Sequence, residues 1–321
     1  MTVAGSTDEP FCPVIDISHF PNGFDEEVVD QLQTQNLAAA VREACEKNGC
    51  FTIVNHGVPL DLLKDVEALL EELFALPAEV KERAIVYNPD ARSANNETFD
   101  LERLPDLATM QKLHDKLWPE EGNPKFCNIM SAFISSLTEL HKKMSKIFLA
   151  SLNLDVKSLF HSDFEKCYSF MGINHYTPGD KQIDEEVMHP HTDIGCFSML
   201  YTNNTPGLQV KSKEGNWLDV DPVPYSFVVM ASDLLKVWTN GRYHSTEHRV
   251  VYKGWKERMS IAYAVLFSDD LLISAPSELV DKKYPRRYKP FTYQPFKAAY
   301  TINYKTKEEK LDKYIDVYAG I

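Results

Sequence analysis

Two side chains near the middle of the chain, His191 and Asp193, have the types and spacing of metal ligands. In a β-strand, residues i and i+2 point to the same face, with Cα atoms roughly 6–7 Å apart. An imidazole and a carboxylate can therefore reach one ion, and His248 in the run STEHRVVY is the candidate third ligand. Two imidazoles and one carboxylate leave one face of an octahedral ion open, which suits Fe(II).

Two further histidines compete for these roles. His189 shares the predicted strand face, but it lies about 13 Å from Asp193 along a strand, too far for both to reach one ion. We therefore interpret His189 as a supporting or structural residue. His244 closely follows the turn sequence Asn240-Gly241, so we expect it near a cavity mouth or the surface. An isolated His-x-Asp pair is weak support, because chance pairs are expected among 10 histidines and 47 acidic residues.

Arg258 and Ser260 form a second pattern, which indicates a site for a carboxylate. They share a strand face and follow His248 after the turn-like segment YKGWKE, so antiparallel neighbours can bring both groups into one cavity. A guanidinium fork binds a carboxylate through two charge-assisted hydrogen bonds, and a hydroxyl can add a third. Alone, the pattern also fits an ordinary surface arginine.

Asn174 and Tyr176, in the segment GINHYTPGD, form a third pattern. They share a strand face and could donate hydrogen bonds to a carboxylate near the metal. Alone, they could equally be buried polar groups that satisfy one another. The three patterns and the distant histidine occur together in one β-rich region, and this combination indicates a single site.

A helix-rich first half precedes the strand-rich region. Apolar residues repeat at helical spacing over 37–45, 63–73 and 128–152, which predicts three helices that pack against a core. Residues 88–125 hold Asn, Pro and charged clusters, and we predict loops that cover the rest of the protein. A polar tail over 305–318 is predicted to be helical.

From residue 166 to residue 267, short apolar runs alternate with turn sequences. Many short strands at near-regular spacing indicate a sandwich, a jelly roll or a small barrel. Asn240-Gly241 is the strongest β-hairpin signal in the chain. The predicted β-runs are CYSFMGINHY, CFSMLYT, GLQVKS, NWLDV, SFVVMA, LLKVWT, STEHRVVY and RMSIAYAVLF.

The composition excludes several classes of partner. The net charge of −13 repels phosphate backbones and anionic lipids, so we expect neither nucleic acid nor a membrane surface as a partner. No apolar run is long enough to span a bilayer, and the first residues lack the features of a signal peptide. We therefore expect a cytoplasmic monomer whose six scattered cysteines are reduced.

At this point the sequence resembles a known family, the plant-type 2-oxoglutarate- and Fe(II)-dependent dioxygenases of the isopenicillin N synthase-like superfamily. PVIDISHF and ACEKNGCFTIVNHGVP are similar to its N-terminal region. GINHYTPGD, HTDIGCFSMLYTNNTPGLQV, WTNGRYHSTEHRVV and RMSIAYAVLF are similar to its catalytic core. LWPEEGNPKF and APSELVDKKYPRRYKPFTY further resemble the branch of auxin-oxidising and glucosinolate-side-chain dioxygenases.

The resemblance implies an α+β fold, in which N-terminal helices and a C-terminal helix flank a double-stranded β-helix (jelly roll) core. It implies that His191, Asp193 and His248 bind Fe(II), and that Arg258, Ser260, Tyr176 and Asn174 bind 2-oxoglutarate. The implied division of the chain is an N-terminal dioxygenase region over 10–125, a long connecting helix over 126–165, a catalytic core over 166–270 and a C-terminal segment over 271–321 that covers the site.

The sequence departs from the family pattern at two positions. Ser232 precedes Asp233, where the family usually has glycine. Ala264 stands where the family often has a phenylalanine that lines the substrate pocket, so an aromatic wall is missing. Tyr263 and Phe267 are, with Ala264, the candidate residues of the substrate pocket.

The resemblance implies an oxidoreductase that converts 2-oxoglutarate and O₂ to succinate and CO₂ while it oxidises a small metabolite. Hydroxylation, desaturation, ring formation and demethylation all remain open, and ascorbate is a candidate stimulant. A small, partly apolar substrate, such as a carboxylic acid of hormone or secondary metabolism, fits best. The alternatives are a same-fold oxidase that does not use 2-oxoglutarate, a catalytically silent jelly-roll binding protein and a zinc hydrolase.

Overall fold

Helices form one side of the protein. The structure is a computed structural model, and it describes residues 11–21, 31–84, 86–88, 96–103, 107–119, 122–178, 183–254, 256–306 and 314–321. The α-helices are α1 (Gln31–Lys47), α2 (Leu60–Phe74), α3 (Ala78–Lys81), α4 (Leu107–Leu117), α5 (Phe126–Ser151), α6 (Val156–Leu159), α7 (Asp233–Trp238), α8 (Tyr293–Thr306) and α9 (Tyr314–Ala319). A π-helical turn (Phe160–Phe164) follows α6, and a short 3₁₀ helix covers Ser277–Leu279. None of the described helices is long and apolar enough to cross a membrane.

Within the described residues, the strands form two sheets of unequal size and one small ribbon. The strands are β1 (Val14–Asp16), β2 (Cys50–Val54), β3 (Tyr87–Asn88), β4 (Asn96–Glu102), β5 (Tyr168–Tyr176), β6 (Glu186–His191), β7 (Phe197–Thr202), β8 (Leu208–Lys211), β9 (Trp217–Asp219), β10 (Phe227–Ala231), β11 (His248–Val251), β12 (Arg258–Leu266), β13 (Leu272–Ile273) and β14 (Phe291–Thr292). The large sheet has the order β1-β2-β10-β7-β12-β5-β4-β3, and the small sheet has the order β6-β11-β8-β9. β1 and β2 are parallel, and the other described pairs are antiparallel. This arrangement confirms the predicted α+β fold with a jelly-roll core.

The two faces of the large sheet pack against different partners. Side chains alternate along a strand, so Ile261 and Val265 of β12 point to one side of the sheet and Ala262 points to the other. The first set belongs to the main apolar core, together with the buried stripe of α5 that includes Phe133 and Leu140. Ala262 instead packs with residues of the small sheet. We call the face toward the helices the outer face and the face toward the small sheet the inner face.

A glycine brings the loop after α7 close to the first helix. Gly49 ends α1 with a φ of +75°, and a Cβ at this position would collide with the carbonyl oxygen of His244. The His244 amide donates to the carbonyl of Cys45 at 2.9 Å. The loop that leads to β11 is therefore held against α1.

The prediction of loops over 88–125 is wrong for much of that segment. β4 pairs along its whole length with β5, and α4 packs against α5. Apolar periodicity does not reveal this strand, because every second side chain of β4 is polar. The buried Phe99 and Leu101 face the helices, whereas Asn96 and Thr98 face inward.

The β-run LLKVWT and the hairpin at Asn240-Gly241 are also corrected by the structure. LLKVWT forms α7, whose Leu234, Leu235 and Trp238 are all buried, so no helical stripe is visible in the sequence. Asn240 and Gly241 have φ values of 56° and 76°, which suit the end of a helix as well as a hairpin. The Gly241 amide accordingly donates to the carbonyl of Lys236 at 2.8 Å.

The C-terminal segment differs from the predicted helix over 305–318. α8 begins earlier, at Tyr293, and α9 is a separate short helix that ends at Ala319. Residues 307–313 lie outside the described part of the chain. The Asp316 carboxylate of α9 accepts a hydrogen bond from Lys236 at 2.7 Å, which ties this segment to α7.

Candidate active site

His191, Asp193 and His248 lie together at one end of the small sheet. His248, the first residue of β11, stands directly opposite His191, the last residue of β6. Asp193 follows in the loop after β6, and not in the strand as the sequence predicted. One possible ligand atom from each residue lies within 4.8 Å of the others, and the two imidazole rings are 4.2 Å apart.

Backbone hydrogen bonds fix which ring nitrogen of each histidine faces the cluster. Nδ1 of His191 donates to the carbonyl of His189 at 2.8 Å, and Nδ1 of His248 donates to the carbonyl of Thr246 at 3.0 Å. A carbonyl only accepts, so the proton is on Nδ1 and the lone pair of each ring is on Nε2. The two Nε2 atoms lie 3.8 Å and 3.9 Å from Oδ1 of Asp193. Two lone pairs and a carboxylate that converge in this way suit a divalent cation.

The loop that carries Asp193 is held by a buried carboxyl group, Asp233, at the start of α7. The Asp233 amide donates to the carbonyl of Asp193 at 2.9 Å. Its side chain accepts hydrogen bonds from Ser245 at 2.6 Å and Thr192 at 3.2 Å. Burial raises the pKa of Asp233 to about 7, although those hydroxyl groups favour the ionised form. Asp233 thus links the loop after β6 to the segment before β11.

The competing histidines lie outside this cluster. The His189 side chain is 76% exposed and contacts Glu186. His244 packs beside α1, where burial lowers its pKa to about 4. The structure therefore brings together His191 and His248, and neither rival, with Asp193.

The second part of the site lies on the inner face of the large sheet. In the register of β12 and β5, Arg258 stands opposite Tyr176 and Ser260 stands opposite Asn174. The Arg258 guanidinium carbon lies 5.2 Å from the centre of the Tyr176 ring. Burial lowers the pKa of Arg258, while the neighbouring Tyr176 partly offsets this effect.

Several polar side-chain atoms on these two strands have no hydrogen-bond partner among the described residues. None of the three guanidinium nitrogens of Arg258 has a hydrogen-bond acceptor, and the Ser260 hydroxyl and the Asn174 carbonyl oxygen are also unpartnered, as far as the described chain goes. Arg258 is only 4% exposed. A buried cation without an acceptor is costly, so these groups fit a carboxylate ligand.

A cavity adjoins Arg258 and Tyr176. Its volume is about 630 Å³, and Val187, Val251 and Glu257 are also among its lining residues. His191, Asp193 and His248 do not line this cavity. The space therefore lies on the arginine side of the site.

Sequence reasoning missed two inner-face residues, Asn96 and Thr98 on β4. Asn96 stands opposite Tyr176 and Thr98 stands opposite Asn174. Both side chains are buried, and neither the Asn96 amide atoms nor the Thr98 hydroxyl has a hydrogen-bond partner in the described part of the protein. We call Arg258, Ser260, Asn174, Tyr176, Asn96 and Thr98, which span three adjacent strands, the polar wall. The sequence signal for these two residues is the segment NETFDLE, in which polar residues at every second position alternate with Phe99 and Leu101.

The structure corrects two of the three candidates for the substrate pocket. Tyr263 points to the outer face, where its hydroxyl accepts a hydrogen bond from Ser169 at 2.8 Å. Phe267 is fully buried in the main core, with its ring 5.2 Å from that of Phe164. Ala264 faces inward between Phe170 and Ser198, and the buried Ser198 hydroxyl has no partner among the described residues. Strand alternation explains the error, because residues 263 and 264 must face opposite sides.

Comparison with known proteins places this arrangement in a family. A model of the 2OG-Fe(II) oxygenase superfamily matches residues 167–266. A model of the N-terminal region of the non-haem dioxygenases in morphine synthesis matches residues 12–125. Gibberellin 3-beta-dioxygenase 2 of Arabidopsis thaliana is 32% identical over 285 residues, which are 83% of this chain and 80% of that protein. The chain belongs to the 2-oxoglutarate- and Fe(II)-dependent dioxygenases.

Other relatives agree with this assignment. The probable 2-oxoglutarate-dependent dioxygenase AOP1.2 of Arabidopsis thaliana is 30% identical, over 81% of this chain and 83% of that protein. The crystal structure of the dioxygenase for auxin oxidation from rice has a TM-score of 0.81 and 28% identity, and covers 97% of this chain and 100% of its own. The Arabidopsis auxin-oxidising dioxygenase in complex with 2-oxoglutarate has a TM-score of 0.72 and 26% identity, over 86% of this chain and 100% of that chain.

The protein is thus an oxidoreductase that uses Fe(II) and 2-oxoglutarate to oxidise a small molecule. This assignment sets aside the alternatives of a silent binding protein, a zinc hydrolase and an oxidase that does not use 2-oxoglutarate.

Proposed function

We propose that His191, Asp193 and His248 hold Fe(II), and that Arg258 and Ser260, with Tyr176 and Asn174, hold the distal carboxylate of 2-oxoglutarate. When bound, the metal and cosubstrate supply an O₂-dependent oxidation that releases succinate and CO₂. The chain's own residues position both groups. The backbone carbonyls at His189 and Thr246 keep the two Nε2 lone pairs directed at the metal.

The environment of Arg258 gives this proposal its strongest support. The buried Arg258 lacks an acceptor from any described residue, although it lies on the inner face of the same jelly-roll core that brings the two histidines together. A dicarboxylate can neutralise the guanidinium at one end and reach a cation at the other. An ordinary surface arginine would be exposed and would need no such ligand.

Substitution of the proposed metal ligands tests the first half of the proposal. Asp193→Ala and His248→Ala should each lower Fe(II) affinity more than about 100-fold and abolish succinate formation, since loss of a direct ligand costs more than loss of a group that only hydrogen-bonds to a ligand. Fe(II) content would be measured after anaerobic gel filtration. His189→Ala is the matched control, because His189 is exposed and only two residues from His191. Full activity in Asp193→Ala, or loss of iron in the control alone, would reject the assignment.

For the organic substrate we propose a small, partly apolar metabolite whose polar group hydrogen-bonds to Asn96 and Thr98. One carboxylate of 2-oxoglutarate is already matched by Arg258 and Ser260, so the far side of the polar wall has spare donors and acceptors. Ala264 leaves room where many family members have phenylalanine. The names of relatives point to gibberellins and auxin as the first compounds to test.

A substrate screen tests this second half. Indole-3-acetic acid, gibberellins and neutral hydroxylated analogues would be compared for stimulation of succinate release, with product mass distinguishing hydroxylation, desaturation, ring formation and demethylation. A compound that stimulates the parent enzyme should show a raised KM in Asn96→Ala. An unchanged KM would remove Asn96 from the substrate site.

The remaining expectations are proposals of the same kind. We propose that residues 10–125 contribute the β4 part of the polar wall, that 126–165 connect it to the core over 166–270, and that 271–321 cover the site. We also propose a cytoplasmic monomer that binds neither nucleic acid nor membranes, consistent with the net charge of −13. Light scattering of the purified chain would test the oligomeric state.

A further inference from the structure

A cluster of charged side chains, largely buried except for Glu257, lies directly behind the polar wall. Its centre is His175, which sits between Asn174 and Tyr176 on β5 and therefore points to the outer face. Nδ1 of His175 lies 2.9 Å from Oε1 of Glu97, and Nε2 lies 3.0 Å from Oε2 of Glu257. The ring stacks on Phe74 of α2, with centroids 4.7 Å apart.

The positions of the two carboxylates connect this cluster to the site. Glu97 lies between Asn96 and Thr98 on β4 and is the direct cross-strand partner of His175. Glu257 immediately precedes Arg258, the first residue of β12. The cluster thus joins, from behind, the three strands that carry the polar wall.

Other groups complete the charge balance around Glu97. Lys81 of α3 donates to Oε2 of Glu97 at 2.6 Å and to the carbonyl of Phe74 at 3.0 Å. The Tyr87 hydroxyl on β3 donates to the same carboxylate oxygen at 2.6 Å. Burial alone would raise the pKa of Glu97, but the hydrogen bonds from His175, Lys81 and Tyr87 lower that pKa to about 2. On β12, the residue opposite His175 is the uncharged Met259.

The geometry also specifies how His175 acts. A carboxylate only accepts hydrogen bonds, so both ring nitrogens can bond only if both carry protons. An imidazolium between two carboxylates, with Lys81 as the second cation, leaves the cluster without net charge.

We propose that His175 is a positioning residue for 2-oxoglutarate, whose doubly donating ring fixes β4, β5 and the start of β12 in the register that presents the polar wall. This inference rests on the proposed role of Arg258. Loss of either donor contact removes a side-chain link between β5 and one neighbouring strand while the backbone pairing remains. A small displacement of the guanidinium relative to Tyr176 then weakens the fit to a carboxylate.

The experiment measures 2-oxoglutarate binding to the anaerobic Fe(II)-loaded enzyme by isothermal titration calorimetry at neutral pH. His175→Phe keeps a ring on Phe74 and removes both donors. We expect its Kd for 2-oxoglutarate to rise about tenfold with Fe(II) content unchanged, while the melting temperature falls because Glu97 and Glu257 lose the cation between them.

A second variant keeps the test decisive if His175→Phe does not fold. Glu257→Gln changes the exposed partner, so we expect a Kd increase of only about twofold to threefold. The matched control is His161→Phe, which removes a histidine from an exposed pair with Glu165 at 3.2 Å and should leave the Kd unchanged.

Each outcome separates this inference from the proposed function. An unchanged Kd in folded His175→Phe, or in Glu257→Gln where the first variant is unfolded, overturns the positioning role. A merely structural role would weaken Fe(II) binding together with 2-oxoglutarate binding, whereas a positioning role leaves the Fe(II) content unchanged. If Arg258→Ala also leaves the Kd unchanged, the proposed cosubstrate site itself fails. If Arg258→Ala raises the Kd and His175→Phe does not, only the role of His175 fails.

Discussion

The inner and outer faces of the large sheet treat buried polar groups in opposite ways. On the outer face, His175 lies between two carboxylates and the Tyr201 hydroxyl donates to Glu67 at 2.7 Å. On the inner face, Arg258 and Asn96 keep polar atoms for which the described chain supplies no partner. Folded proteins rarely leave such groups unpaired, because each costs about 1–3 kcal/mol or more. The difference therefore separates groups that hold the fold together from groups that serve a ligand.

The sharpest test of this comparison is Arg258, whose truncation should have the largest effect on ligand binding. Arg258→Ala is expected to weaken 2-oxoglutarate binding by about 2–5 kcal/mol, because it removes one partner of a buried charge pair. Arg258→Lys should lose less, since it keeps the charge but not the bidentate fork. Calorimetric titration of the Fe(II)-loaded enzyme measures both. A variant with unchanged 2-oxoglutarate affinity and reduced stability would place Arg258 with the groups that only support the fold.

On the outer face, Glu97→Gln should mainly reduce stability. The pKa of Glu97 is lowered from 4.5 to about 2, and its side chain is only 18% exposed. A lowered carboxyl pKa stabilises the folded state above about pH 4.5, and this contribution is lost as the pH falls toward 2. We expect a loss on the order of 3 kcal/mol at neutral pH, from urea unfolding followed by circular dichroism. The gap between parent and variant should close in acid, and a gap independent of pH would contradict the assigned ion pairs.

The same two faces explain what could be predicted from the sequence. His191 and Asp193 were predicted from residue types at short spacing, and the distant His248 from its place in the same β-rich region. The structure brings all three together. β4 was missed because a strand whose inner face is polar looks like a loop when only apolar periodicity is counted. Tyr263 was wrongly assigned to the substrate pocket, because the side chains of β12 alternate between the two faces and residues 258 and 263 must therefore point to opposite sides. The partners of His175 could not be predicted, since Glu97 and Glu257 meet it only through tertiary pairing.

The β4 part of the polar wall should have a smaller effect than Arg258, and one confined to the organic substrate. Asn96→Ala and Thr98→Val remove neutral hydrogen-bonding groups, so each should raise the substrate KM about tenfold or less. The Kd for 2-oxoglutarate and the melting temperature should change little. Ser169→Ala is a suitable control, because Ser169 lies on the outer face of the adjacent strand. Equal increases in the KM for substrate and the Kd for 2-oxoglutarate would mean that the polar wall is a single cosubstrate site.

His141 on α5 is an apparent exception on the helix side, and it offers the smallest and most direct test. The ring packs edge-on against Phe197, and neither nitrogen has a partner among the described residues. Burial, with a smaller contribution from Lys142, lowers the pKa of His141 to about 4. The unfolded chain therefore binds a proton that the folded chain does not, and the parent loses stability as the pH falls from 6.5 toward 4.

His141→Leu should raise the free energy of unfolding by about 1 kcal/mol at neutral pH, and by more in that acidic range. His141→Gln, which keeps a polar group, should not share the gain. A less stable leucine variant would mean that the ring has a partner, such as a buried water, and that the outer side is as fully satisfied at His141 as it is at His175.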